Sequence, residues 1–275
     1  MRQLFLLTLL SLGPVALASE AGGTLRPGVT YHYVKSNLDG SDPWHVTTYV
    51  SSRTRLDVLK WGEGPGEVVE VTADLDPSRC VAHHLEQWNL RDGALAMSMW
   101  ATLSEDGRSY AFHREGAPPL VLRGSGRPLH VYGFDLQSMD LGPRCLATRA
   151  GVAVIGLLGV NPVPDAAPPL VDFGPVRVEQ AGEEQLGEIR CRKVRLVGTG
   201  FTVLAWFSRA DGRVVRAESA RPDSHDWTSF RLQLVRTEPM DPFRWQAFRG
   251  EVLSRFIHAA PPPAISPAGP DAGPH

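Results

Sequence analysis

The stretch VLAWFSRADGRVVRAESARPDSHDWTSFRLQL, Val203 to Leu234, decides the fold. Asp211-Gly212 separates two short runs rich in β-branched and aromatic residues, VLAWFS and VVRAES, which is a strong short-range hairpin signal. After the polar segment PDSHDW, the run SFRLQLV alternates. Phe230, Leu232 and Leu234 fall on one face and Arg231 and Gln233 on the other, the pattern of a half-buried strand. Parallel strands need crossovers of about a dozen residues, and this stretch has no room for them, so the pairing is antiparallel.

The same grammar extends toward the N-terminus. YHYVKS leads into the turn NLDGSDP, and WHVTTYV and TRLDVLKW flank SSR. VVEVTADLD ends at Asp76-Pro77. CVAHHLEQWNL and ALAMSMWATLS pair across Arg91-Asp92-Gly93, and RSYAFHRE follows an EDG turn. Strands at short spacing joined by tight turns predict an antiparallel meander. On the other side, VRVEQAGEEQLGEIRCRKVRL reads as a hairpin whose turn contains Glu183 and Glu184. Ile189 and Cys191 share one face and Val194 and Leu196 the other, so a bulge is expected between them.

Helices are few. Asp135 can cap a short helix containing Leu136, Met139 and Leu141, which Pro143 interrupts. NPVPDAAPPLVDFGP, with its five prolines, is an extended loop. Asp241-Pro242 starts a helix, because proline lacks only an N–H that the first turn leaves unused. Trp245, Phe248, Val252 and Phe256 then share one face. The expected fold is mainly β, a curved antiparallel sheet with two or three short helices packed on it. It forms a single β-rich domain over residues 22–258.

Both ends of the chain differ from this domain. Met1-Arg2, the apolar run Leu4–Leu12 and Ala16-Leu17-Ala18 make residues 1–18 a signal peptide. The expected location is therefore periplasmic or extracellular. Residues 259–275, AAPPPAISPAGPDAGPH, are too rich in Pro, Ala and Gly to form a core and are expected to be a disordered tail. No apolar run has the roughly 20 residues of a transmembrane helix.

The formal net charge of the 275 residues is −2, with no basic stripe, which argues against nucleic acid as a partner. Three cysteines, Cys80, Cys145 and Cys191, allow one disulfide in an oxidising compartment, and the spacing leaves the pairing open. No CxxC, HExxH, GxSxG or P-loop occurs, so neither a metal nor a cofactor is expected. His84, two-residue steps from Cys80 and Glu86 on a strand, is one candidate for a polar site. Asp223, His225 and Asp226 are another, with a simple connecting loop anchored by Trp227 as the alternative. Seven tryptophans, among them Trp206 and Trp227, suit a core or the wall of an apolar ligand site.

GPVRVEQAGEEQLGEIRCRKVRLVG, LAWFSRADGRVVRAES and SFRLQLV together resemble the C-terminal half of the DUF3108-like group of exported bacterial proteins. YHYVKSNLDGSDPWHVTTYV and TRLDVLKW are similar to relatives of that group. The resemblance implies a half-barrel like that of the lipoprotein carrier proteins, with a helix over its concave side, and it supplies no catalytic residues. Three functions are then in view. The first is binding of a lipid-like or other apolar or amphipathic ligand in the concavity. The second is a structural or interaction module with a partner in the cell envelope. The third is a hydrolase using His225 or His84.

Overall fold

A computed structural model of the chain describes residues 25–64, 67–131, 152–160, 170–222 and 227–257. The expected signal peptide, the expected disordered tail, Cys145, the expected helix after Asp135 and the segment Asp223–Asp226 lie outside these residues. The first half of the described chain gives eight strands. They are β1 (Val29–Ser36), β2 (Trp44–Ser52), β3 (Arg55–Trp61), β4 (Val68–Asp76), β5 (Val81–Arg91), β6 (Ala94–Leu103), β7 (Ser109–Arg114) and β8 (Ala117–Arg123). The second half gives β9 (Leu129–Val131), β10 (Val152–Val160), β11 (Leu170–Leu186), β12 (Ile189–Gly198), β13 (Phe201–Ser208), β14 (Val214–Ser219) and β15 (Phe230–Pro239). One helix, α1 (Pro242–Ile257), follows.

All fifteen strands form a single sheet. Strands β1 to β8 pair in chain order, β1 also pairs with β15, and the order then runs backwards from β14 to β9. Only β9–β10 is parallel. Thus β8 and β9 are opposite edges of the sheet, yet residues 124–128 alone connect them. Strands lie about 4.8 Å apart, so the edges of a flat sheet this wide would be roughly 65 Å apart. An extended linker of this length reaches only about 20 Å. The sheet must roll until its ends approach, and it does. β8 comes beside β11 and β5 beside β9, and Ser125 donates a hydrogen bond to Asp172. Gly126 makes the approach possible, because a Cβ there would sit 2.4 Å from the Ile155 carbonyl oxygen.

Rolling gives the two faces of the sheet different fates. The inner face is apolar around the whole circuit, from Tyr31, Val46, Val58, Val71, Leu85 and Phe112 to Leu158, Val178, Val194, Val203 and Leu232. These side chains are buried, and the Tyr33 hydroxyl donates to the Val214 carbonyl (3.0 Å) across the intervening strand. Over β1 to β5 the outer face carries a second core. Tyr49, Leu59, Val68 and Leu90 pack against Trp245, Val252 and Phe256 of α1. The helix therefore lies on the convex side and not over the concavity, and it is the only helix among the described residues. Asp241 caps it, its carboxylate accepting from the Arg244 amide (2.9 Å).

Two cores explain why strict alternation misled at several points. In β12, Val194 and Leu196 enter the inner core, while Cys191 joins Trp206 and Val215 in a smaller outer cluster. The strand itself runs in regular register with β13. The irregularity lies in its other partner, between Gln180 and Gly182 of β11. Glu183 and Glu184 are not in a turn. They pair with Arg192 and Cys191 inside the ladder, and the hairpin turns between Leu186 and Ile189. The proline-rich loop also ends sooner than expected, since Leu170–Pro175 already belong to β11. At Arg91-Asp92-Gly93 the reading holds. Asp92 (φ 50°) and Gly93 (φ 76°) both adopt the left-handed conformation of a two-residue hairpin turn.

A buried ion pair ties α1 to the sheet. Arg249 donates from Nε (2.8 Å) and Nη2 (2.7 Å) to Glu70 Oε2 on β4. Removing the arginine leaves a mostly buried carboxylate without its partner. Arg249→Met is therefore expected to cost about 2 kcal/mol, and Arg249→Met/Glu70→Met together less than the single change. Urea unfolding of these two variants and of Glu70→Met measures this, and a double variant as unstable as the sum of the two single ones would refute it.

Candidate functional site

Among the described residues, those singled out in the sequence do not converge, and Asp223, His225 and Asp226 lie outside them. Trp206 is buried beneath two cations, with Lys193 Nζ 4.7 Å and the Arg216 guanidinium 5.3 Å from its ring centroid. Its Nε1 donates to Glu184 Oε2 (2.9 Å), which locks the indole into the surface of the second meander. Trp227 sits far along the chain from there, at the turn between β1 and β2. Its Nε1 donates to the Asp42 carbonyl (3.0 Å), its ring meets Trp44 edge-on (5.7 Å), and Lys35 Nζ lies 4.3 Å from its centroid. Asn37 Oδ1 completes the attachment by accepting from the amides of Thr228 (2.9 Å) and Ser229 (3.0 Å).

His84 is on the outer face, hydrogen-bonded to Thr102 Oγ1 (3.2 Å) and Glu86 Oε1 (3.2 Å). It does not share a face with Cys80. The β4–β5 register shifts between Asp74 and Leu75, so that His83 is the extra residue of a bulge and the parity counted from Cys80 is lost. Cys80 is disulfide-bonded, and Cys191 is a buried free thiol whose pKa burial raises. Among the described residues no three His, Cys, Asp or Glu side chains form a metal-sized group.

Of the clefts lined by described residues, two have aromatic side chains in their walls. The larger, about 670 Å³, lies between the ends of β1–β6 beside Trp44 and Trp227. Asp42, Glu63, Glu67, Asn89 and Arg91 give it a polar rim. Part of that rim serves the loops themselves. Glu67 Oε2 accepts from the Gly64 amide (3.0 Å) and Asp42 Oδ2 from the Asn37 amide group (2.8 Å).

The smaller cleft, about 320 Å³, lies on the convex face between α1 and strands β1, β2, β3 and β15. Its walls are aromatic. His45 stacks on Trp61 (5.1 Å, 22°), Trp61 meets Phe248 (5.9 Å), and Phe248 meets His32 edge-on (5.9 Å). Val235, 60 % exposed, and Arg236 stand at its mouth. Its polar groups are fixed. His32 Nδ1 bonds Thr47 Oγ1 (3.1 Å), and Nε2 bonds Glu238 Oε1 (2.9 Å). Burial, and then the Arg236 charge, lower the His32 pKa, which keeps the ring neutral at pH 7. An apolar enclosure with a few oriented polar groups has the make-up of a small-molecule site.

Of these cleft residues, only Trp61, as one of the seven tryptophans, was among the candidates for a ligand wall. Pairing WHVTTYV with TRLDVLKW directly across SSR would set His45 opposite Leu59; its partner is Trp61, because the ladder runs on to Ser52 and Arg55 and its register shifts between Val50 and Ser52. The contribution of Phe248 depends on which face of the sheet receives the helix, and alternation is silent about that.

No family model and no curated protein matches the chain, so the resemblance to the DUF3108-like group rests on the quoted residues alone. Among solved structures, the chain is similar to a beta-barrel-like protein of the domain of unknown function DUF1849 from Brucella abortus. The identity is 12 % and the TM-score 0.41, over 79 % of this chain and 100 % of that one. It is also similar to a LolA superfamily protein from Nitrosomonas europaea, at 11 % identity and a TM-score of 0.22, over 78 % of this chain and 85 % of that one.

Proposed function

We propose that this protein is an exported, non-catalytic binding protein for an apolar or amphipathic ligand, and that the ligand sits in the aromatic cleft beside α1. The observation that carries this reading is an open cleft whose walls are Trp61, Phe248 and His45. The concave interior is the other seat for such a ligand. Its described side chains are already covered by one another, so filling it would mean displacing packed residues. The two sites separate experimentally. The neutral fluorescent probe N-phenyl-1-naphthylamine is expected to bind saturably, and Val235→Asp, at an exposed position, to weaken it at least tenfold. Val203→Ala, in the inner core and away from the cleft, should leave binding unchanged. No saturable binding would sink the function. Loss with Val203→Ala and not with Val235→Asp would move the ligand to the interior.

Export is supported by the pattern of residues 1–18 and by the disulfide at Cys80. With Cys191 free, we pair Cys80 with Cys145. Peptide mapping without reduction is expected to recover that crosslink, and Cys191 should resist alkylation until the protein is denatured. A crosslink to Cys191, or its rapid alkylation in the native protein, would refute the assignment. The hydrolase reading has less behind it, because among the described residues the His84 ring meets only a threonine and a glutamate.

A further inference from the structure

We infer that the cleft beside α1 selects a single-chain amphiphile with a carboxylate head; this inference rests on the binding function proposed above. Of the residues that line the cleft, none is Asp or Glu, and Arg236 is the only one that is permanently charged. Its Nη2 is 3.0 Å from Glu238 Oε1 and 3.4 Å from His32 Nε2. The rest of the guanidinium carries no hydrogen bond to the described residues, and the side chain is 60 % exposed. A guanidinium held at one corner, with further N–H groups facing outward, is a fork to which a carboxylate can bond with both oxygens.

Glu238 balances the charge of Arg236 but does not line the cleft. Its Oε1 holds both Arg236 (3.0 Å) and His32 (2.9 Å) in place. A head bound at Arg236 would leave an apolar body against Val235, Trp61 and Phe248, where no charged side chain has to be desolvated. An ammonium head would meet the arginine as a like charge. A neutral alcohol would keep the apolar contacts and lose the charge-assisted bonds. The order of preference is therefore carboxylate, alcohol, ammonium.

Displacement of N-phenyl-1-naphthylamine by decanoate, decanol and decyltrimethylammonium, each below its micellar concentration, tests this at pH 7.5. Decanoate is expected to displace the probe at a concentration at least tenfold lower than decanol, with decyltrimethylammonium the weakest. Arg236→Met should abolish the preference for decanoate over decanol, and urea unfolding checks that this exposed substitution keeps the fold. Equal displacement by decanoate and decanol would overturn the head-group inference while leaving the binding function standing. So would an Arg236→Met variant that still prefers decanoate. If none of the three displaces the probe, the cleft is not an amphiphile site and both readings fall.

Discussion

Trp245→Ala is expected to destabilise the protein by about 3–5 kcal/mol, the range for deleting a buried aromatic side chain. Trp245 is 2 % exposed, and its ring stacks on Tyr49 (5.1 Å, 20°) and meets Phe248 (5.8 Å). The outer core is one helix thick. The apolar contacts of α1 with the sheet come from Trp245, Val252 and Phe256, with the half-buried Phe248 and Leu253. A void at Trp245 cannot be filled from a second layer, so the loss of contacts is added to the loss of burial. For a chain of this size, 3–5 kcal/mol lowers Tm by roughly 10 °C. The control lies on the same helix. Phe243 is 83 % exposed, and Phe243→Ala should change stability by less than about 0.5 kcal/mol. Equal losses at the two positions, or a Trp245→Ala variant within 1 kcal/mol of the parent, would refute a helix docked through this face. The variant should also weaken probe binding, because Phe248 rests on Trp245 and forms a wall of the cleft.

What the sequence could reveal follows from where each residue is buried. The hairpins around Asp211-Gly212 and Asp92-Gly93 were legible, because Asp-Gly carries its own turn chemistry and the runs beside it are visibly strand-like; at Asp92-Gly93 it is a two-residue turn, and at Asp211-Gly212 it ends a four-residue loop from Arg209. The stripe of α1 was legible because only one of its faces is buried. Strand β10, VAVIGLLGV, gave no signal. Its residues Ile155, Leu157 and Leu158 are all buried, and an unbroken apolar run has no period to read. In β3, Leu56 and Val58 are buried in one core and Leu59 in the other, so the alternation of the strand is only approximate. The hand of the site depended on the same unknown. Whether α1 covers the concave or the convex face is a property of how fifteen strands roll, and no window of sequence contains it. Trp206 and Trp227, prominent as single residues, are committed to structural anchoring by partners far away in the chain.

Acidification from pH 6.5 to 4 is expected to remove about 3 kcal/mol of stability through one residue, His130. It lies on β9, paired with Leu157 of β10, at the edge that meets the rolled wall formed by β5. The ring is 0 % exposed, and burial alone depresses its pKa from 6.5 to about 4. Above pH 6.5 the ring is neutral in both folded and unfolded chains, and the full stability is present. Between 6.5 and 4 the unfolded chain takes up a proton that the folded protein refuses, so stability falls with each step toward acid. Below about pH 4 both states are protonated and this contribution levels off. His32, also depressed by burial, adds a loss of the same sign, so the measurement must isolate His130. Urea unfolding at pH 7.5, 6.0, 5.0 and 4.5 for the parent and for His130→Gln provides that difference. The parent is expected to lose more stability than the variant over this range, by about 2–3 kcal/mol between pH 7.5 and 4.5. If the variant is too unstable to compare, the NMR titration of the His130 ring in the intact protein decides the matter. A ring that titrates near 6.5 would mean that the seam between the two sheet edges admits water, and that the sheet is less tightly closed than its packing implies.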